Sequence, residues 1–177
     1  MDRTSIRPFY ADWDAYNRHI VDVVGGMTDT DLAVRPSPEG WPIWATVGHL
    51  AGTRVYWLCT VVGEPGAEST PFWGPAGLPD DGWEDDLDHP RRADELTHAL
   101  DSTWALIAAA LDQWTPEMLG ETVIREYGGI RRPHTRQSIL LRMLSHDAYH
   151  AGELSQTLGI RGLPQIDLWP PEDHPPL

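Results

Sequence analysis

The chain has little cysteine and no long apolar segment. Cys59 is the only cysteine among the 177 residues, which excludes an intrachain disulfide and fits a reducing compartment. The first residues, MDRTSIRP, lack the apolar stretch of a secretory signal. No apolar run approaches the roughly 20 residues that span a bilayer. We therefore expect a cytoplasmic protein with no membrane partner.

Positive charge is also scarce. Lys and Arg together number 13 against 27 Asp and Glu, and the formal net charge is −14. Nucleic-acid-binding proteins need a basic surface to displace counterions from phosphates, so this balance argues against a nucleic-acid partner. The sequence contains neither a Walker phosphate loop nor a GxGxxG fingerprint, which removes two common nucleotide-binding classes.

The length and composition are those of one globular domain. A chain of 177 residues can enclose a full hydrophobic core, but it is too short for two domains to be the better expectation. Apolar residues form 41% of the chain and charged residues 23%, which is typical of a folded protein. We expect a single domain over residues 1–177.

Hydrophobic periodicity predicts four long helices. Apolar residues recur at helical spacing over residues 6–23, 42–62, 90–114 and 135–158. The second helix is apolar nearly all round, with Arg54 as its only charge, and such a helix is usually buried on several sides. The Gly128–Gly129 pair predicts a short hairpin or extended excursion over residues 121–134. Four helices with little strand indicate an all-α four-helix bundle.

His146 and His150 are the strongest chemical signal. They lie four residues apart in the fourth predicted helix, so their Cβ atoms are about 5–6 Å apart on one face. Two ring nitrogens at this separation can reach one metal ion, because metal–nitrogen bonds are about 2.0–2.1 Å long. A histidine pair alone is more often packing than a metal site, so a third ligand is needed.

His49 is the best third ligand, because it lies in the middle of the nearly uncharged second helix. Three neutral imidazoles would leave coordination positions open, as in catalytic zinc sites, and they suit zinc, nickel, copper or iron. Asp147 and Glu153 are close enough in sequence to orient a ligand ring. Glu153 is the better candidate, since it lies one turn beyond His150 on the same side.

The other candidate residues give weaker evidence of a functional site. Cys59 is interpreted as a small core residue rather than a nucleophile. Ser145 forms no dyad with His146, because adjacent side chains on a helix point apart. The remaining histidines lie on polar faces or in loops and are expected to be solvated: His19, His89, His98, His134 and His174.

Two segments carry a family resemblance. WPIWATVGHL at residues 41–50 and HDAYHAGEL at residues 146–154 resemble motifs of the DinB/YfiT-like superfamily of metalloenzymes. Trp13 with Asn17, and the closing segments LGIRGLP (158–164) and DLW (167–169), extend the resemblance over nearly the whole chain. The motifs are short, but their order and spacing together are specific.

The resemblance implies a four-helix bundle with non-standard connectivity and a divalent metal, often zinc or nickel, held by three histidines. These map onto His49, His146 and His150. It also implies a homodimer, and chemistry similar to that of S-transferases that use the low-molecular-weight thiols bacillithiol or mycothiol.

The leading hypothesis is a metal-dependent transferase that joins such a thiol to a small electrophile, with Glu153 steering a ligand or a bound water. One alternative is a metal-dependent hydrolase, in which the ion activates water and Glu153 or Asp147 is the general base. Another is a non-enzymatic, stress-associated protein that binds a metal or small ligand. The substrate depends on how the loop over residues 63–90 folds, and the expected pocket walls are Trp44, Tyr56 and Trp57.

Overall fold

The computed structural model describes residues 4–73 and 85–170 of the chain. Within them lie two antiparallel strands, β1 (Thr122–Tyr127) and β2 (Ile130–Thr135). The same ranges contain five α-helices: α1 (Ala11–Gly25), α2 (Asp29–Leu32), α3 (Ile43–Val55), α4 (Ala93–Gln113) and α5 (Arg136–Ile160). The expectation of a mainly helical fold is confirmed, with 61% helix. The strict all-α description is too narrow, because the hairpin forms a small sheet.

The four long predicted helices are present, with ends shifted by a few residues. A 3₁₀ turn over Arg7–Tyr10 leads into α1, and a π-helical turn over Tyr56–Val62 continues α3 to its predicted end. Gly63 follows with a φ of 87°, a conformation that glycine adopts without strain. The sequence reading missed α2, although Thr28 and Asp31 form the capping box that begins it.

The described part of the tail packs back on the helices. Ile166 and Leu168 are buried, and the Trp169 indole N–H donates to the Tyr16 hydroxyl at 2.8 Å. The packing of this segment agrees with the family resemblance noted for residues 167–169. Residues 74–84 of the 63–90 loop and residues 171–177 of the tail, with Trp83 and His174, lie outside the described residues.

The hairpin turns at the predicted glycine pair. Gly128 and Gly129 have φ values of 57° and 72°, as both central residues of a type I′ turn require. In the strand register, Arg125 lies opposite Arg132, and Val123 lies opposite His134. Because side chains alternate along a strand, these two pairs share one face of the sheet.

Helix α3 lies at the centre of the packing. It packs against both α4 and α5, while α4 also packs against α1. Twelve of its thirteen residues are buried, and the exception is His49. This confirms the expectation of a helix enclosed on several sides. None of the helices in the described ranges combines the length and apolar character that a bilayer crossing requires.

One buried ion pair connects all four long helices. Arg54 of α3 and Asp147 of α5 are 1% and 2% exposed, and the guanidinium donates to both carboxylate oxygens, at 2.9 and 3.3 Å. Trp13 of α1 donates its indole N–H to Asp147 at 2.9 Å. Arg54 Nη1 also donates to Asn17 Oδ1 of α1 at 2.8 Å and to the Leu100 carbonyl of α4 at 3.2 Å. Buried charges are tolerated only with such partners, so the network restricts how the helices can rotate.

Replacing Asp147 by Ala should lower the free energy of unfolding by about 3–5 kcal/mol, because Arg54 would stay buried without its counter-ion. Urea denaturation followed by circular dichroism measures the change. Glu126→Ala is the control, since it removes an exposed ion pair with Arg131 and should change stability far less. Equal effects of the two substitutions would contradict the role given to Asp147.

Candidate metal centre

Three histidine side chains meet at the interface of α3 and α5. His146 Nε2 lies 3.2 Å from His49 Nε2 and 3.1 Å from His150 Nε2. The three potential ligand atoms all lie within 4.8 Å of one another. The structure therefore brings together the three histidines that the sequence singled out.

The spacing of the nitrogens fits a single ion. Two nitrogens bound at about 2.0–2.1 Å lie about 2.9–3.4 Å apart when they subtend roughly 90–110° at a metal. The nitrogen separations of 3.1 and 3.2 Å at His146 fall within this interval. Three imidazoles grouped on one side of an ion leave its other side open to further ligands. The cluster could hold a divalent metal in that way.

Two carboxylates hold the outer rings in the orientation that a metal needs. His150 Nδ1 lies 2.9 Å from Glu153 Oε2, and His49 Nδ1 lies 2.9 Å from Asp85 Oδ1. An ionised carboxylate only accepts hydrogen bonds, so in the neutral form of each ring Nδ1 carries the proton and Nε2 presents a lone pair. Such outer hydrogen bonds fix the tautomer of a metal-binding ring and raise its basicity.

His146 is the most enclosed of the three rings. Burial, together with smaller effects of the nearby His150, His49 and Arg54, lowers the pKa of His146 to about 3. Burial also lowers the pKa of His150, against a smaller opposite effect of Glu153. Both rings are therefore neutral at pH 7, which is the form that binds metal.

The hydrogen bonds of His146 also favour a cation. Its Nδ1 is buried and has no hydrogen-bond partner among the described residues. If His146 carries its proton on Nδ1, the three Nε2 lone pairs face one another. If it carries the proton on Nε2, that single N–H has to be shared as a hydrogen-bond donor between the Nε2 atoms of the other two rings. A divalent cation would satisfy the three Nε2 atoms together.

An open cleft of about 340 Å³ borders the cluster. Two aromatic side chains pack edge-on against its histidines. The ring centroid of Trp41 lies 5.5 Å from that of His49, and the ring centroid of Tyr149 lies 5.0 Å from that of His150. The full lining is Gly40, Trp41, Thr46, His49, Tyr149, His150 and Glu153. A small molecule in this cleft would reach the open side of the histidine cluster.

The residues predicted to wall the pocket lie elsewhere. Trp44 and Trp57 are buried in the core, and the Tyr56 hydroxyl accepts a hydrogen bond from Arg125 at 2.8 Å. None of the three is among the described residues that line the cleft. The size and apolar character of a tryptophan do not reveal from the sequence whether it lies in the core or at a cleft. Trp41, the first residue of the motif at residues 41–50, is the tryptophan that stays partly exposed beside the cleft.

Asp147 does not orient a histidine, and that part of the sequence prediction is wrong. Its two oxygens accept hydrogen bonds from Arg54 and Trp13, in the buried network described above. The residue that the sequence reading missed is Asp85, which reaches His49 from the loop before α4 with a left-handed φ of 61°. It lies in an acidic stretch, and no periodic signal distinguishes it from its neighbours.

The expectations for Cys59 and for the remaining histidines can also be compared with the structure. Burial raises the pKa of the Cys59 thiol to about 11, so it is protonated at pH 7 and is a poor nucleophile, as expected. His98 is exposed, also as expected. His134 is only partly solvated: it is half-buried, with its ring centroid 5.2 Å from that of Trp57.

The comparisons with known proteins identify the family of this chain. A family model described as the DinB superfamily matches residues 10–154, which contain the three histidines and both outer carboxylates. The chain belongs to the DinB superfamily. Its fold is similar to the crystal structure of a DinB-like protein from Bacillus cereus ATCC 10987, with a TM-score of 0.65 and 18% identity over 93% of this chain and 97% of the other.

A second solved structure shows the same DinB-like fold. It is a conserved protein from Enterococcus faecalis, with a TM-score of 0.59 and 17% identity over 86% of this chain and 95% of the other. At such identities the likeness establishes the fold alone. No curated protein matches the chain.

Zinc titration tests the roles of His150 and Asp85 in metal binding by this DinB-superfamily protein. His150→Ala should weaken zinc binding by at least about a hundredfold, because one direct ligand is lost. Asp85→Asn should weaken it about 10–100-fold, because the ring of His49 loses the carboxylate that orients it. Isothermal titration calorimetry at pH 7 with a competing chelator measures both.

His98→Ala is the matched control, since it removes an exposed helical histidine away from the cluster. It should bind zinc like the unaltered protein. If His150→Ala also bound zinc unchanged, the histidine cluster would not be the metal site.

Proposed function

We propose that this DinB-superfamily protein is a metal-dependent transferase that joins a low-molecular-weight thiol, of the bacillithiol or mycothiol type, to a small electrophile. The observation that carries the proposal is the cluster of three imidazoles beside an open cleft. His49, His146 and His150 would hold the ion, zinc or nickel, and Glu153 would orient His150. When bound, the ion would favour the thiolate form of the thiol, which is the reactive form.

The reacting thiol has to come from outside the chain. Cys59 is the only cysteine, and burial keeps its thiol protonated, with a pKa raised to about 11. In the transfer, the S–H bond of the small thiol breaks and its proton passes to solvent. The sulfur then bonds to the electrophilic carbon, and the leaving group departs with the electron pair of its own bond.

The carboxylates around the cluster favour thiol transfer over hydrolysis. A hydrolase of this kind needs a general base that can take a proton from water. Glu153 and Asp85 accept the Nδ1 protons of two histidines, and Asp147 accepts hydrogen bonds from Arg54 and Trp13. Thiol transfer needs no such base, because a small thiol loses its proton far more readily than water does.

The open cleft supports a catalytic role over a purely structural metal site. Structural zinc sites are closed by four protein ligands, whereas residues 4–73 and 85–170 offer three at this cluster. Trp41 and Tyr149 would flank a molecule bound in the cleft and limit the access of water from two sides.

An assay that compares thiol consumption with ester hydrolysis tests the proposal. The zinc-loaded or nickel-loaded protein should accelerate the reaction of bacillithiol or mycothiol with 1-chloro-2,4-dinitrobenzene, and should leave p-nitrophenyl acetate unchanged when no thiol is present. His150→Ala should lose the thiol-dependent rate, whereas Cys59→Ser should keep it. Ester hydrolysis without thiol, or loss of the rate in Cys59→Ser, would contradict the proposal.

Homodimeric assembly, a cytoplasmic location and a single domain over residues 1–177 are predictions that follow from the sequence and the family resemblance. The identities of the metal and of the electrophile are likewise left as predictions.

A further inference from the structure

The arginines of this acidic chain divide into two groups. All 13 of its basic residues are arginine, against 27 acidic residues. Seven of the arginines that the structure describes lie within 4.0 Å of a carboxylate. Within residues 4–73 and 85–170, five others form no ion pair, and three of these lie close together: Arg125, Arg132 and Arg142.

Two of the three face each other across the hairpin. Arg125 of β1 is paired with Arg132 of β2 in the strand register. Like charges at directly opposite positions destabilise a sheet, because their side chains are only about 5 Å apart at Cβ. An anion bound between the two guanidinium groups would remove that repulsion.

The third arginine approaches the same place from α5. The guanidinium carbon of Arg142 lies 5.0 Å from the ring centre of Trp57, and that of Arg125 lies 5.3 Å from it. His134 packs against the same indole at 5.2 Å. Burial, and then the charges of Arg142, Arg125 and Arg132, lower the pKa of His134, so all three arginines act on one small region.

The guanidinium of Arg125 is held in place while most of its donors stay available. Arg125 donates only its Nε–H, to the Tyr56 hydroxyl at 2.8 Å, and stacks against aromatic rings. A guanidinium carries five N–H donors in a planar fork that matches carboxylate and phosphate oxygens. Stacking therefore orients the fork of Arg125, and that of Arg142 against Trp57, without using the donors that would bind an anion.

This group of arginines adjoins the metal centre. Arg142 precedes His146 by one helical turn on the same face of α5, about 6 Å along the axis. Trp57 follows His49 by eight residues along the α3 segment. Arg142 therefore lies within one helical turn of the histidine cluster.

We propose that Arg125, Arg132 and Arg142 bind an anionic group, a carboxylate or a phosphate, on the small molecule that reacts at the histidine cluster. The proposal rests on the proposed function for its link to the reaction, while the anion site itself stands on the arginines alone. The net charge of −14 repels anions from most of the surface, so a local group of unpaired arginines would select for them.

Calorimetric titration with inorganic phosphate and with succinate tests the site, on the metal-free and the zinc-loaded protein in 150 mM sodium chloride. At least one probe should bind saturably, and Arg132→Gln and Arg142→Gln should each weaken its binding about tenfold or more. Arg131→Gln is the matched control, because Arg131 lies next to Arg132 on the opposite face of β2 and pairs with Glu126. Binding of phosphate alone assigns a phosphate ester, and binding of succinate alone assigns a carboxylic acid.

Two results would overturn the anion site: no saturable binding of either probe, or an equal loss in Arg131→Gln and Arg132→Gln. The link to the reaction is tested separately, because the bound anion should compete with one substrate of the thiol transfer. Anion binding without competition would overturn that link. If thiol transfer were absent while anion binding followed the arginines in the metal-free protein, the proposed function would fail and the anion site would stand.

Discussion

The buried ion pair between Arg54 and Asp147 is the interaction on which the candidate site depends. Asp147 is next to His146 on α5, and adjacent helical residues point about 100° apart. When Asp147 faces inward onto Arg54, His146 and His150 are turned toward the one partly exposed residue of α3, His49. A rotation of α5 by one residue would bury an unpaired charge and separate the three imidazoles. The ion pair thus holds the three histidines in position without belonging to their cluster.

The surroundings of the cluster perform two distinct tasks. Burial keeps His146 and His150 neutral at pH 7, which makes their nitrogens available to a cation. Glu153 and Asp85 then decide which nitrogen of His150 and His49 faces the centre. Glu153 belongs to the helix that carries two of the histidines, whereas Asp85 comes from the loop before α4. The site therefore combines a rigid helical frame with one contribution from outside it.

Periodicity and spacing in the sequence predicted what local geometry determines. The apolar repeats indicated the long helices, the four-residue interval indicated that His146 and His150 share a face, and the scarcity of charge around His49 indicated the third member of the cluster, although His49 is half-buried rather than buried. Pairings between distant segments could not be predicted in this way. Asp147 adjoins a predicted ligand, yet its partner Arg54 is 93 residues away. Asp85 contacts His49 across 36 residues of sequence, a pairing that no repeat in the sequence indicates.

X-ray absorption spectroscopy of the zinc-reconstituted protein tests the central claim most directly, because it reports the number and type of atoms around the ion. Three histidine ligands beside an open cleft predict a zinc signal with three imidazole nitrogens at about 2.0–2.1 Å and at least one further oxygen or nitrogen from solvent. Fewer than three imidazoles, or a shell closed by four protein ligands including sulfur, would contradict the account.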